Sequence, residues 1–215
     1  MTGSVRKTES PRPVIGLVGQ VCAGKSTVAE AFRRRGVTVY DADKAVRGIY
    51  TQPDAIADVR ERFGSEALDA KGNVDRKALA AIVFADPAKL ELLTSQVIFP
   101  RTGKAITDAI EHFKHSTAPA LLLDAPTLFE SGRNDVCEKI VFVAAPLERR
   151  NAWAAERGWD EGEVERRESR LYPEQAKRAK ADAVIENTGT IVDVDRQVQE
   201  ILKLWGVGTA ESSKA

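Results

Sequence analysis

The chain has 215 residues, enough for one compact domain or one domain carrying an insertion, since ~100–200 residues per domain is usual. It is 43% hydrophobic and 30% charged, and its 32 basic residues balance 32 acidic ones, so net charge gives no argument for nucleic-acid or membrane-surface binding. The longest apolar runs, "VIGLVG", "ALLLDA" and "IVFVAAP", fall far short of the ~20 residues a membrane-spanning helix needs and suit buried parallel strands.

The N-terminal stretch "MTGSVRKTESPRP" lacks the apolar segment of a secretory signal. Residues 1–12 are therefore expected to be a flexible leader, and a cytoplasmic location follows as the default. Strands are expected at residues 14–18, 37–40, 120–124, 140–144 and 183–186, with helical segments between them. That alternation predicts an α/β protein with a parallel sheet covered by helices on both faces.

Between the first strand and the first helix stands "GQVCAGKST". A loop that wraps a polyphosphate must turn several backbone N–H groups inward, which needs residues that tolerate positive φ and leave room for the anion. Gly19 and Gly24 meet that need. Lys25 would reach the β- and γ-phosphates, the Ser26 hydroxyl would coordinate Mg²⁺, and the helix beginning there would aim its positive end at the anion. The spacing thus predicts a nucleoside triphosphate site. Cys22 reads either as an acidified thiol or as a small residue in a permissive position.

The second strand leads into "YDADKAVR", which puts Asp41 and Asp43 at the edge of an open α/β sheet where ligands bind. Either could be the base that accepts an acceptor hydroxyl's proton, and Asp43 is equally a candidate cap for the next helix. Residues 42–119 read as almost wholly helical, with Asp86 capping a helix that has Pro87 in its first turn. This segment is expected to form a helical insertion over residues 49–115. "DAKG" at residues 69–72 falls within it, where a GTPase switch glycine has no place, and no Asn-Lys-x-Asp guanine-reading segment exists. His112 and His115, three apart on a predicted helix, lack further ligands nearby in sequence, and Cys22 and Cys137 have no metal-ligand spacing.

Past the insertion, "ALLLDAPTLFESG" ends an apolar strand on Asp124, suited to support Mg²⁺. Arg149, Arg150 and Arg157 follow the fourth strand and could close over a nucleotide. Most other charges of residues 149–181, the expected lid, read as solvated i, i+4 pairs. The last helix carries Ile191, Val194, Val198, Ile201, Leu202 and Trp205 at core-packing spacing, and residues 206–215 are expected to be a disordered tail. Residues 13–48, 116–148 and 182–205 would make the core. These features define a small-molecule kinase better than a GTP switch.

From about residue 14 to 205 the sequence resembles the dephospho-coenzyme A kinase family. The motifs are "GLVGQVCAGKSTVA", "DADKAVR", "GNVDRKALAAIVFADPAKLELL", "LLLDAPTLFESG" and "KRAKADAVIENTG". The resemblance implies a P-loop nucleoside-kinase-like three-layer core with a five-stranded parallel sheet, a helical acceptor-binding insertion and a helical lid. It implies ATP-dependent phosphorylation of the ribose 3′-hydroxyl of dephospho-coenzyme A, with Mg²⁺. Carried over by position, Asp41 is the base, Lys25 and Ser26 serve ATP and Mg²⁺, and Arg157 is the lid arginine. Gly19, Val21, Cys22, Ala23, Gly24 and Thr27 complete the nucleotide loop, and Asn187 lies near the adenine. Arg47, Arg76 and Phe84 belong to the acceptor side.

The sequence departs from the family pattern at several points. The loop loses two glycines of the usual Gly-Gly-Ile-Gly-Ser-Gly-Lys-Ser, Phe99-Pro100 replaces a His-Pro pair, and Thr127 replaces a leucine. Trp153 and Arg150 stand where arginine and glutamine are common, and Leu171 takes the place of a glutamine. Phe99 and Leu171 leave open a related kinase with another nucleoside or pantetheine-like acceptor, and a catalytically weak nucleotide-sensing protein is a further alternative.

Overall fold

The computed structural model describes residues 12–208. Residues 1–11 of the leader expected over 1–12, and residues 209–215 of the tail expected over 206–215, lie outside the described residues. The strands are β1 (Val14–Gly19), β2 (Thr38–Asp41), β3 (Leu121–Asp124), β4 (Lys139–Ala144) and β5 (Ala183–Glu186). They form one five-stranded parallel sheet in the order β2-β3-β1-β4-β5. β1 pairs with β3 on one side, Leu17 opposite Asp124, and with β4 on the other, Gly19 opposite Val143. The most apolar strand is thus central, where both faces must be covered.

Pleating sorts β1 between two layers. Ile15 and Leu17 join Val141, Val143 and Ile185 in a core built with Val28, Ala29 and Phe32 of α1 (Lys25–Arg33) and Val194, Val198 and Leu202 of α10 (Ile191–Leu204). On the opposite face a Cβ at Gly16 would lie 2.6 Å from Leu128 Cδ2, so the residue's smallness admits the segment after β3. Thr190 starts α10 with a capping box: its Oγ1 accepts from Asp193 N, and Asp193 Oδ2 accepts from Thr190 N at 2.8 Å.

Two ends of this unit depart from expectation. Arg12, placed in the leader on sequence grounds, donates to the Phe113 and Ala118 carbonyls at 2.9 Å each. Val207, placed in the tail, is buried in the main core. Ile191, read as a core residue, is 62% exposed because it lies in the first turn of α10, off the apolar face.

The contacts divide the chain into Asp41–Ala109 and the residues on either side of it. The first of these holds α2 (Ala42–Ile49), α3 (Pro53–Phe63), α4 (Arg76–Phe84), α5 (Pro87–Leu92), a π-helical turn (Leu93–Ile98) and the start of α6 (Phe99–Lys114). Its core comprises Ile49, Val59, Phe63, Leu79, Val83, Leu93 and Val97 with smaller neighbours. Asp86 caps α5 through Ala88 N at 2.9 Å, with Pro87 in its first turn. The unit is less uniformly helical than its sequence suggests: Leu68 and Val74 form an antiparallel bridge around a turn. Asp69 closes that turn by accepting from Lys71 N and Asn73 N, and Gly72 supplies φ +81.

Candidate active site

The phosphate loop runs from Gly19 at the end of β1 to Lys25 at the start of α1. Gly19 must be small, because a Cβ there would lie 2.4 Å from Val143 O. Gly24 adopts φ +83 as the N-cap of α1 and receives Thr27 N at 3.0 Å on its carbonyl. Cys22 also stands at positive φ, +58, in a conformation that L side chains rarely adopt. The thiol is buried. The two left-handed residues bend the backbone around a concavity of the kind that accepts anions, and α1 adds its N-terminal N–H groups.

Several predicted residues come together at this loop. Asn187, just past β5, is buried and donates from Nδ2 to Ala23 O at 2.9 Å. A Cβ on Gly24 would meet that Nδ2 at 2.3 Å, so Gly24 and Asn187 form one packed unit. Arg157, at the C-terminal end of α7 (Leu147–Glu156), is exposed and brings Nη1 to 3.5 Å from Cys22 Sγ. Ser26 is exposed at the start of α1, and Asp124 ends the neighbouring strand β3.

The other two arginines after β4 have partners within the protein. Arg149 donates to Gly189 O at 2.8 Å and lies over the Trp153 ring. Arg150 is 5% exposed and joins Ala145 O, Val21 O and Glu168. Of the three, Arg157 is the exposed one. Sequence reasoning also missed Gln20, whose Oε1 accepts from Ala145 N at 2.8 Å, and the buried Lys177 of α9 (Glu174–Ala179), paired with Glu130 at 2.9 Å. None of these partners is a helical neighbour, so spacing carries no signal for them.

In the helical unit Asp41 caps α2, with Oδ1 accepting from Lys44 N at 2.8 Å. The capping role considered for Asp43 belongs to Asp41, and Asp43 is exposed in the first turn. Asp75 caps α4 and so sets the position of Arg76. Arg76 and Phe84 line a cavity of about 320 Å³ whose walls are mostly apolar, with Tyr50, Val83, Leu90 and Ile98 among them. Burial raises the Tyr50 phenol pKa, against the lowering influence of Arg76. Phe84 is 63% exposed, unusual for so large an apolar side chain. Arg47 is exposed on α2 and does not line this cavity.

Among the described residues no three His, Cys, Asp or Glu side chains converge as a metal cluster. His115 is exposed beside Glu111 at 3.3 Å. No helix among the described residues is long and apolar enough to cross a membrane.

A parallel sheet with a Gly-x₄-Gly-Lys-Ser loop between its central strand and the first helix defines a P-loop protein of the small-molecule kinase class. The family model for dephospho-CoA kinase matches residues 13–193, and the chain belongs to that family. It is 37% identical over 188 residues to the dephospho-CoA kinase of Aquifex aeolicus, covering 87% of this chain and 94% of that one. The crystal structure of TT1252 from Thermus thermophilus superposes with a TM-score of 0.76 at 33% identity, covering 91% of this chain and 98% of the other. A dephospho-CoA kinase structure from Campylobacter jejuni, at 18% identity, shares the fold with a TM-score of 0.64, covering 91% and 98%.

Proposed function

We propose that the protein transfers the γ-phosphoryl group of ATP to the ribose 3′-hydroxyl of dephospho-coenzyme A, giving coenzyme A and ADP. The observation that carries this reading is the match of the kinase family model across residues 13–193, and the left-handed Cys22 and Gly24 of the phosphate loop support it.

In this reading Gly19, Val21, Cys22, Ala23, Gly24, Lys25, Ser26 and Thr27 hold the phosphates, and Asn187 stands on the adenine side. Asp41 Oδ1 is committed to the helix cap, which orients the carboxylate, and Oδ2 takes the proton of the 3′-hydroxyl. The freed oxygen forms the new bond to γ-phosphorus as the bond to the β-phosphate's bridging oxygen breaks, and ADP leaves with the charge. Lys25 and Arg157 offset that charge as it spreads. Catalysis of this kind is largely positioning and electrostatics.

Magnesium is the ion this donor set suits. One hydroxyl at Ser26 and one carboxylate at Asp124 are too few for an all-protein cage, but match an ion that takes its remaining ligands from phosphates and water. When bound it supplies neutralisation of β- and γ-oxygen charge. Arg47, Arg76 and Phe84 serve the acceptor, and the apolar cavity beside Arg76 and Phe84 suits its pantetheine arm. Consumption of ATP keeps the expected cytoplasmic location with this reading.

The test is ADP release by the purified protein with Mg-ATP, with and without dephospho-coenzyme A, and identification of the phosphate position in the product. Acceptor-dependent turnover that yields a 3′-phosphate supports the reading. ATP binding with no acceptor stimulation sinks it.

A further inference from the structure

Between Gly19 and Gly24 the phosphate loop has no glycine, yet Cys22 holds φ +58. A side chain in the left-handed region costs roughly 1–2 kcal/mol, and it persists only where the surroundings over-determine the backbone. The surroundings here supply that restraint from three directions. Gln20 N donates to Val143 O at 3.1 Å and Gln20 Oε1 accepts from Ala145 N at 2.8 Å, fastening the loop to the end of β4. Val21 N donates to Glu168 Oε1 at 3.1 Å, from the last residue of α8 (Glu163–Glu168). Val21 O receives Arg150 Nη1 at 3.4 Å.

Arg150 ties these together. Its Nη1 meets Glu168 Oε1 at 2.7 Å and its Nε donates to Ala145 O at 3.1 Å, so one guanidinium bridges strand end, loop and helix end. The guanidinium is buried, and Glu168 is about a quarter exposed. An ion pair this far from water is weak support for stability in itself, because desolvation offsets much of the attraction. Its place on the loop backbone gives it another use. The peptide groups on both sides of Val21 are held, and the next residue is the strained one.

We propose that Arg150 and Glu168 are positioning residues for ATP: the pair fixes the peptides flanking Val21, and so holds Cys22 in the left-handed turn that presents the following N–H groups to the triphosphate. The inference rests on the reading that this loop holds ATP. It also assigns the two charges unequal weights. A bare carboxylate beside a polyphosphate site repels its ligand, and Arg150 removes that repulsion as well as bracing the loop. Loss of Arg150 therefore does more damage than neutralisation of Glu168, whose amide replacement still accepts from both Val21 N and Arg150.

Calorimetric titration of Mg-ATP into the full chain tests this without any acceptor. Arg150→Met weakens Mg-ATP binding about tenfold or more, whereas Glu168→Gln costs less than about threefold. In activity assays the KM for dephospho-coenzyme A stays within about twofold in both, since the acceptor is not held by this loop. Adding Cys22→Gly to Arg150→Met recovers most of the lost affinity, because glycine adopts the left-handed turn without a brace. Arg150→Met that binds Mg-ATP like wild type overturns the proposal, as does a weakening that the glycine leaves unchanged. If Arg150→Met does not fold, Arg150→Gln, which keeps a donor and drops the charge, makes the same comparison with and without Cys22→Gly. A wild-type protein that binds Mg-ATP but forms no coenzyme A would overturn the proposed reaction and leave this comparison intact. Failure to bind Mg-ATP at all would sink both.

Discussion

In the proposed reaction Gly24 and Asp41 each combine a backbone role with a chemical one, and substitution separates the two. Alanine at Gly24 incurs the left-handed cost of roughly 1–2 kcal/mol and drives a methyl into Asn187 Nδ2, at 2.3 Å. Asn187 must then release Ala23 O, so Gly24→Ala should weaken Mg-ATP binding by about tenfold and lower the melting temperature. Asp41→Asn keeps an oxygen for the Lys44 N cap but removes the proposed base. It should lower kcat by about 10²–10⁴ while the Kd for Mg-ATP stays within about twofold, and full turnover in that variant would remove Asp41 from its assigned role. The loop was legible because its glycine and lysine spacing is local. Arg150, Glu168 and Gln20 were not, because their partners are brought in by the parallel sheet: Gln20 meets Ala145, 125 residues on. In the same helices Glu163 pairs with Arg167 at i, i+4, as expected of a solvated surface, and nothing in the sequence separates that arginine from the buried one.

Helix ends carry the next set of consequences. Asp75 accepts from Lys77 N at 2.9 Å and Ala78 N at 3.1 Å, satisfying two of the N–H groups that α4 leaves open. Asp75→Ala should destabilise the helical unit by ~1 kcal/mol in urea denaturation, and because Arg76 is the first residue of α4 it should also raise the KM for the acceptor. Across α3 and α6, Arg101 Nη2 reaches Asp54 and Asp58 at 2.7 Å each. Hydrogen bonding by Arg101 holds both carboxyls below their ordinary range. A depressed folded-state pKa means stability that is fully present above the unfolded value, near 3.9, and is lost as pH falls through the folded value. Arg101→Met should therefore flatten the fall in stability of the helical unit as pH drops below about 4, measured by circular dichroism. A slope there equal to wild type's would assign acid sensitivity elsewhere. The cap at Asp86 was readable in advance from residue type and position. The turn at Asp69 was not, since the helical periodicity on either side of "DAKG" hides a bridge that depends on Leu68 meeting Val74.

Among the described residues the sheet and the helical unit each bury an apolar core of their own. The sheet's core residues, from Ile15 to Val207, and those of the helical unit, from Ile49 to Val97, share no member. Alternating strand and helix patterns announced the first, while the second was visible only as a long strandless gap, since helical periodicity shows which faces are apolar and not which helices meet. Ligand linkage distinguishes them. A ligand that binds the folded phosphate loop stabilises whatever unfolds with it, by about 2.7 kcal/mol at a hundredfold excess over Kd. Leu79 is fully buried in the helical core, and truncation to alanine should cost about 2–5 kcal/mol there. Melted with saturating Mg-ATP, Leu79→Ala should show an early helical loss insensitive to nucleotide, followed by a transition that moves up as nucleotide is added. A single transition that moves as one with Mg-ATP would mean that the two cores unfold as one cooperative unit.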